Sequence, residues 1–343
     1  MDALNPFTNR TMIVEADEFF GRGSELRELY QRVLRRQSVS LVGERRVGKS
    51  SLLNALIFQR DRPEYNIVES IRFVYMDMQS VSGCDESGIV ERVLDLIEDE
   101  TGVRVGSGRR RDVEPTLKEI QARGMSLVLL LDEFNILTEN TNIPSTFYDL
   151  LRSAIAYRLT YVTAYREGTL DALVAGLKET DGLSPFMNIF GIMYIGPLKK
   201  DDADTLVLEL SDDAGSPFSA DEIDQVQRLG GYLPFYLQIA AYHAFEAKRH
   251  GAAIDWSAVE AGFRDEALHH LHSLWGRLSA VEQMALKARS GQSGSVMTRS
   301  QRARADADLR KKGILIDENG QHRVFSSVFE QLIDDAAPLP AHL

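Results

Sequence analysis

A single cysteine, Cys84, among 343 residues excludes an internal disulfide, a cysteine-based zinc finger and a thioredoxin-type motif. It points to a reducing, cytoplasmic setting. Long apolar runs are also missing: no stretch approaches the roughly 20 residues that a bilayer span needs, so no membrane crossing is expected. The opening residues, MDALNPFTNR, show no basic segment leading into an apolar one, and no export signal is expected from them. Nor is there a basic surplus. The net charge of −12 would repel nucleic acid if spread evenly, so DNA binding would need a local basic surface. No internal repeat is found. What remains is globular material, 44% apolar and 26% charged, of a length that suits two or three domains.

Five short apolar runs rich in β-branched and aromatic residues stand out. They are SVSLV (38–42), IRFVYMD (71–77), SLVLLLD (126–132), TYVTAY (160–165) and IFGIMYI (189–195). Most are separated by helical segments such as 85–100 and 145–158, a rhythm that predicts a parallel five-stranded sheet with helices on both faces. Leu26, Leu29, Tyr30, Val33 and Leu34 fall at helical spacing behind a capping Ser24, and give one amphipathic helix leading in. After Pro197 helices follow, at about 200–213, 219–229, 233–250 and 255–276. Residues 279–335 then read helix, helix, strand, turn, strand and short helix, the order of a winged helix. VGSGRRRDV (105–113) reads as a flexible loop that could reach a neighbouring subunit or a polyanion, and the last residues as a loose tail.

Between the first strand and the next helix, Gly43, Gly48, Lys49 and Ser50 fit the phosphate-loop pattern G-x-x-x-x-G-K-[ST]. The glycines let the loop curl so that its amides face inward, the helix start adds partial positive charge, and the lysine neutralises terminal phosphates. Val47 and Ser51 complete the nucleotide-binding set, and Ser50 is the expected Mg2+ ligand. A nucleoside triphosphatase of this kind also needs an acid for the metal and a base for the attacking water. LVLLLDEF supplies both at a strand end: Asp132 for Mg2+ through its water shell, Glu133 for the water. An acidic base directly after the metal acid, with a further strand following, fits the P-loop ATPases that carry an extra strand between the two motif strands.

NPF near the start, FFGRGSEL (19–26), VGERRVGKSSLL, FVYMDMQ, LLLDEF, GGYLPFYLQIA (230–240) and HRVFSSVFEQLI together resemble the bacterial and archaeal STAND ATPases. These are relatives of the NACHT and NB-ARC switch proteins and, more distantly, of the AAA+ origin-recognition ATPases. The resemblance runs from about residue 5 to 335. It implies an AAA+-like P-loop domain over 18–197 after an N-terminal segment (1–17), a helical lid (198–255), a winged helix (256–335) and a tail (336–343). It further implies that Arg22 is an adenine-side arginine, with Gly23 where a glutamate is usual. Arg166 would be a sensor arginine reading the γ-phosphate, and Pro234 a lid proline against the adenine. His322, just before the last strand, reads as a wing-surface histidine, the alternative being an approach to the phosphates.

The resulting expectation is a slow cytoplasmic ATPase that binds ATP or ADP with Mg2+ and acts as a switch. It would be closed with ADP and open and self-associating with ATP, with a partner protein supplying effector or sensor. A second reading stays open. Residues 287–312 hold eight Lys or Arg (Lys287, Arg289, Arg299, Arg302, Arg304, Arg310, Lys311, Lys312) against Asp306 and Asp308, a local +6 on an acidic chain. In a DNA-reading winged helix, arginines of the second helix enter the major groove, so the alternative is a DNA-binding AAA+ ATPase.

Overall fold

A computed structural model describes residues 4–166, 186–249, 253–291, 297–318 and 320–336. The chain divides into two compact units, Met12–Ile195 and Met1–Thr11 with Gly196–Leu343. Among the described residues no helix is long and apolar enough to cross a membrane.

The first unit runs α1 (Gly23–Leu34), β1 (Val39–Gly43), α2 (Lys49–Phe58), β2 (Ile71–Asp77), α3 (Glu86–Thr101), α4 (Arg110–Ala122), β3 (Ser126–Asp132), α5 (Asn135–Glu139), α6 (Ser145–Ala154), β4 (Leu159–Arg166) and β5 (Gly191–Tyr194). All five strands are parallel, in the order β2-β3-β4-β1-β5. The five apolar runs therefore form the expected sheet, with β4 inserted between the strand of the phosphate loop and the strand of the acids. β1 and nearly all of β3 are buried, as strands covered by helices on both faces must be. Below the sheet's loop ends an aromatic cluster forms around Phe186, which meets Phe190 at 5.2 Å, Tyr161 at 5.8 Å and Phe134 at 6.2 Å.

Two local expectations are corrected. The residue preceding α1 is Arg22, in the left-handed region at φ 61°, and Ser24 lies inside the first turn with its hydroxyl on Glu25. Residues 105–113 are no loose loop. α4 begins at Arg110, and the Asp112 carboxylate accepts from the amides of Ser107 (2.9 Å) and Arg109 (3.0 Å), so the turn winds around a buried acid. Arg110 pairs with Glu86 and donates to the Thr146 carbonyl, which leaves it tied down within its own unit.

The second unit contains α7 (Lys200–Asp213), α8 (Ala220–Gly230), α9 (Pro234–Lys248), α10 (Trp256–Arg277), α11 (Ala280–Arg289), α12 (Arg299–Lys311), the antiparallel hairpin β6 (Leu315–Glu318) and β7 (Gln321–Val324), and α13 (Ser327–Asp335). Helix starts are marked by capping boxes, Ser219 with Glu222, Ser279 with Glu282 and Thr298 with Gln301. The first residues of the chain belong here. Phe7 is wholly buried against Phe218 and Phe245, and Asn5 donates to the Tyr242 carbonyl and to Glu246.

Candidate active site

β1 leads straight into Gly43, where a Cβ would run into the carbonyl oxygen of Ile195. Only glycine lets that backbone pass. The loop then turns through two left-handed residues, Arg46 (φ 68°) and Gly48 (φ 98°), and Lys49 opens α2. Val47 is buried under the loop and fixes its curl. The Lys49 ammonium lies across the loop, donating to the carbonyls of Gly43 and Glu44 at 2.8 Å each. Ser50 is the second residue of α2, and Ser51 accepts a hydrogen bond from the amide of Ile13 at 3.0 Å. The first amides of a helix have no intrahelical partner, so this end of α2 offers donors and partial positive charge to an anion.

Arg22 meets the same loop from the side. Its guanidinium is almost fully buried, donating through Nη2 to the Val47 carbonyl and through Nη1 to Glu25, both at 3.0 Å. Burial works against the Glu25 charge, but hydrogen bonds from Ser24 and Arg22 and the Arg22 charge outweigh it, holding the carboxyl below its ordinary range. The arginine braces the loop backbone. Glu25 as its partner had no signal in the sequence beyond an acid three residues on.

The acids come from β3, separated from β1 only by β4. Asp132 is buried and both its oxygens are engaged: Oδ1 accepts from the amide of Glu133 at 2.9 Å and Oδ2 from the Tyr75 hydroxyl at 3.0 Å. Glu133 itself is left-handed, φ 48°, a conformation that costs a non-glycine residue about 1–2 kcal/mol. What enforces it is the next residue. Phe134 buries its ring against Tyr165 at 5.4 Å and donates its amide to the Ala164 carbonyl at 2.9 Å, so the chain must turn within one residue and Glu133 projects from the turn. Arg166 ends β4 in register with Gly43, which places its backbone beside the phosphate loop; its side chain lies outside the described residues.

In the second unit, Pro234 is the first residue of α9, where a missing amide costs nothing. The preceding glycines serve packing: a Cβ at Gly230 would strike the Tyr236 backbone, and one at Gly231 the Phe325 ring. His322 faces Asp317 across the β6-β7 hairpin and meets the Arg310 guanidinium at 2.8 Å. Of the basic stretch, Lys287 donates to the Ala336 carbonyl, Arg289 to Asp306, and Lys312 pairs with Glu282, while Arg299, Arg302 and Arg304 are exposed on α12.

The opening amides of α2, an ammonium, a serine hydroxyl and a carboxylate form the set of groups that suits a polyphosphate with Mg2+, a hard ion that takes oxygen ligands. The family model described as Novel STAND NTPase 2 matches residues 33–294. Solved structures share the fold: the Walker-type ATPase PABY2304 of Pyrococcus abyssi matches at TM-score 0.62 and 16% identity, over 96% of this chain and 99% of that one. The Aeropyrum pernix ORC2 protein, solved as ADPNP-ADP complexes, matches at 0.60 and 14%, over 96% of both chains. Among curated proteins no match was found.

Proposed function

The chain belongs to the novel STAND NTPase 2 family of P-loop NTPases, and from that membership we propose that it binds ATP with Mg2+, hydrolyses it slowly and uses its two nucleotide states as a switch. The observation that carries the proposal is the left-handed Glu133 directly after the buried Asp132. A strained acid held by its neighbours at a strand mouth, one strand away from a phosphate loop, is poised to act on a water molecule. In this reading the loop amides and Lys49 hold the phosphates. Ser50 and Asp132 would hold Mg2+, which when bound neutralises charge on the phosphate oxygens. Arg166 is assigned to the γ-phosphate and Pro234 to the adenine side.

Self-association in the ATP state and a partner protein complete the proposal. Sedimentation velocity tests it. Glu133→Gln with ATP is expected to sediment as an assembly and with ADP as a single chain, and Lys49→Ala as a single chain with either. Identical profiles for Glu133→Gln in ATP and ADP would remove the switch from the account.

One observation favours a second reading, a DNA-binding ATPase: Arg299, Arg302 and Arg304 are exposed on the second helix of the helix-helix-hairpin array. Against it, Lys287, Arg289, Arg310 and Lys312 are engaged inside their own unit, on the Ala336 carbonyl, Asp306, His322 and Glu282, which draws four of the eight basic side chains away from a DNA backbone.

A further inference from the structure

We infer that Tyr75 is the positioning residue for the metal-binding carboxylate, its hydroxyl fixing Asp132 so that the remaining lone pairs face the Mg2+ water shell. The inference rests on the assignment of Asp132 to the metal. Tyr75 sits on β2, whose pairing with β3 sets Asp77 beside Asp132 and Tyr75 beside Leu130. From there its hydroxyl lies 3.0 Å from Oδ2 of Asp132 and 3.3 Å from the sulfur of Met12. The hydroxyl has one proton. A carboxylate is a far stronger acceptor than a thioether, so the proton goes to Asp132 and the Met12 sulfur covers the other side of the oxygen.

A rotating carboxylate would present its charge to the metal in many orientations. Here the Glu133 amide holds one oxygen and Tyr75 the other, which leaves a single orientation without reorganisation when the ion arrives. A merely packed tyrosine would need none of this. Tyr148 and Tyr161, by comparison, donate to the backbone carbonyls of Leu137 and Leu151.

The test is a Mg2+ titration of binding of a fluorescent ATP analogue to the full chain, with affinity in EDTA measured alongside, for Tyr75→Phe, Met12→Leu and Asp132→Asn. Tyr75→Phe keeps the ring and is expected to raise the Mg2+ concentration for half-maximal effect roughly ten- to a hundredfold, the loss of one hydrogen bond to a charged metal-binding group, with EDTA affinity within about twofold. Met12→Leu is expected to leave the Mg2+ response unchanged. Asp132→Asn should shift it at least as far as Tyr75→Phe. If Asp132→Asn shifts the response and Tyr75→Phe does not, the positioning role is overturned while the metal assignment stands. If Met12→Leu shifts it as much as Tyr75→Phe, the hydroxyl acts through Met12 and the role is again overturned. An unaltered response in Asp132→Asn overturns the metal assignment and the role of Tyr75 together.

Discussion

The amide of Ile195 donates to the carbonyl of Val42 at 2.7 Å, and the Ile195 carbonyl oxygen stands where a Cβ on Gly43 would fall. The two glycines of the phosphate loop are thus required for different reasons. Gly43 has no room for a side chain, and Gly48 has open space around it but a backbone at φ 98°.

Gly43→Ala forces a methyl group into a backbone carbonyl and is expected to cost about 3 kcal/mol as overpacking. Gly48→Ala meets no atom within 4 Å and is expected to cost only about 1–2 kcal/mol, the left-handed penalty. Urea unfolding of both variants checks the order. Equal losses would show that space around Gly43 is not limiting.

Arg22→Lys separates brace from base contact. A lysine keeps the charge but cannot span Glu25 and the Val47 carbonyl with one planar fork, so the loop loosens and stability falls by about 1 kcal/mol. A brace acts on the phosphates, so ATP and GTP affinities are expected to fall by the same factor. A loss confined to ATP would make Arg22 an adenine contact.

Asp112 is one of the carboxyls expected to shape the loss of stability in acid. Its carboxyl is held below its ordinary value of 3.8, first by the Arg109 amide and next by that of Ser107. A depressed folded-state pKa contributes stability that is present above the ordinary carboxylate value and lost as pH falls through the folded one. Asp112→Asn is therefore expected to flatten the decline in melting temperature below about pH 4. An unchanged acid limb would assign that decline to other carboxyls.

The sheet was legible because each strand is a short apolar run and strands buried on both faces leave little room for other readings; one strand between β1 and β3 was expected from the paired acids and the strand after them, whereas the places of β2 and β5 in the order β2-β3-β4-β1-β5 had no signal in the sequence. Tyr75 and Met12 were not legible. Tyr75 lies 57 residues before Asp132 and reaches it through a strand pairing that no local pattern encodes, and Met12, outside any strand, meets the Tyr75 hydroxyl. The turn at 105–109 was misread for a related reason. A polar, glycine-rich stretch looks solvated until its acid, Asp112, is seen to gather the amides that a loose loop would give to water.

Charge reversal at Arg302 and Arg304 separates the two functional readings. In the switch reading it leaves ADP release unchanged and removes no specific partner. For a DNA-binding protein it is expected to weaken duplex binding and flatten the salt dependence, because each lost phosphate contact removes roughly one released counterion. Fluorescence anisotropy across a salt series gives the result, and tight, salt-steep binding lost in the reversal would favour DNA.

The most direct measurement is single-turnover hydrolysis of ATP by Glu133→Gln against the parent, with enzyme in excess and bound nucleotide identified by chromatography. Glutamine keeps the shape of the side chain and removes the base, so hydrolysis is expected to fall by roughly a hundredfold or more while ATP stays bound. Hydrolysis at the parental rate, with ATP bound equally well, would contradict the account.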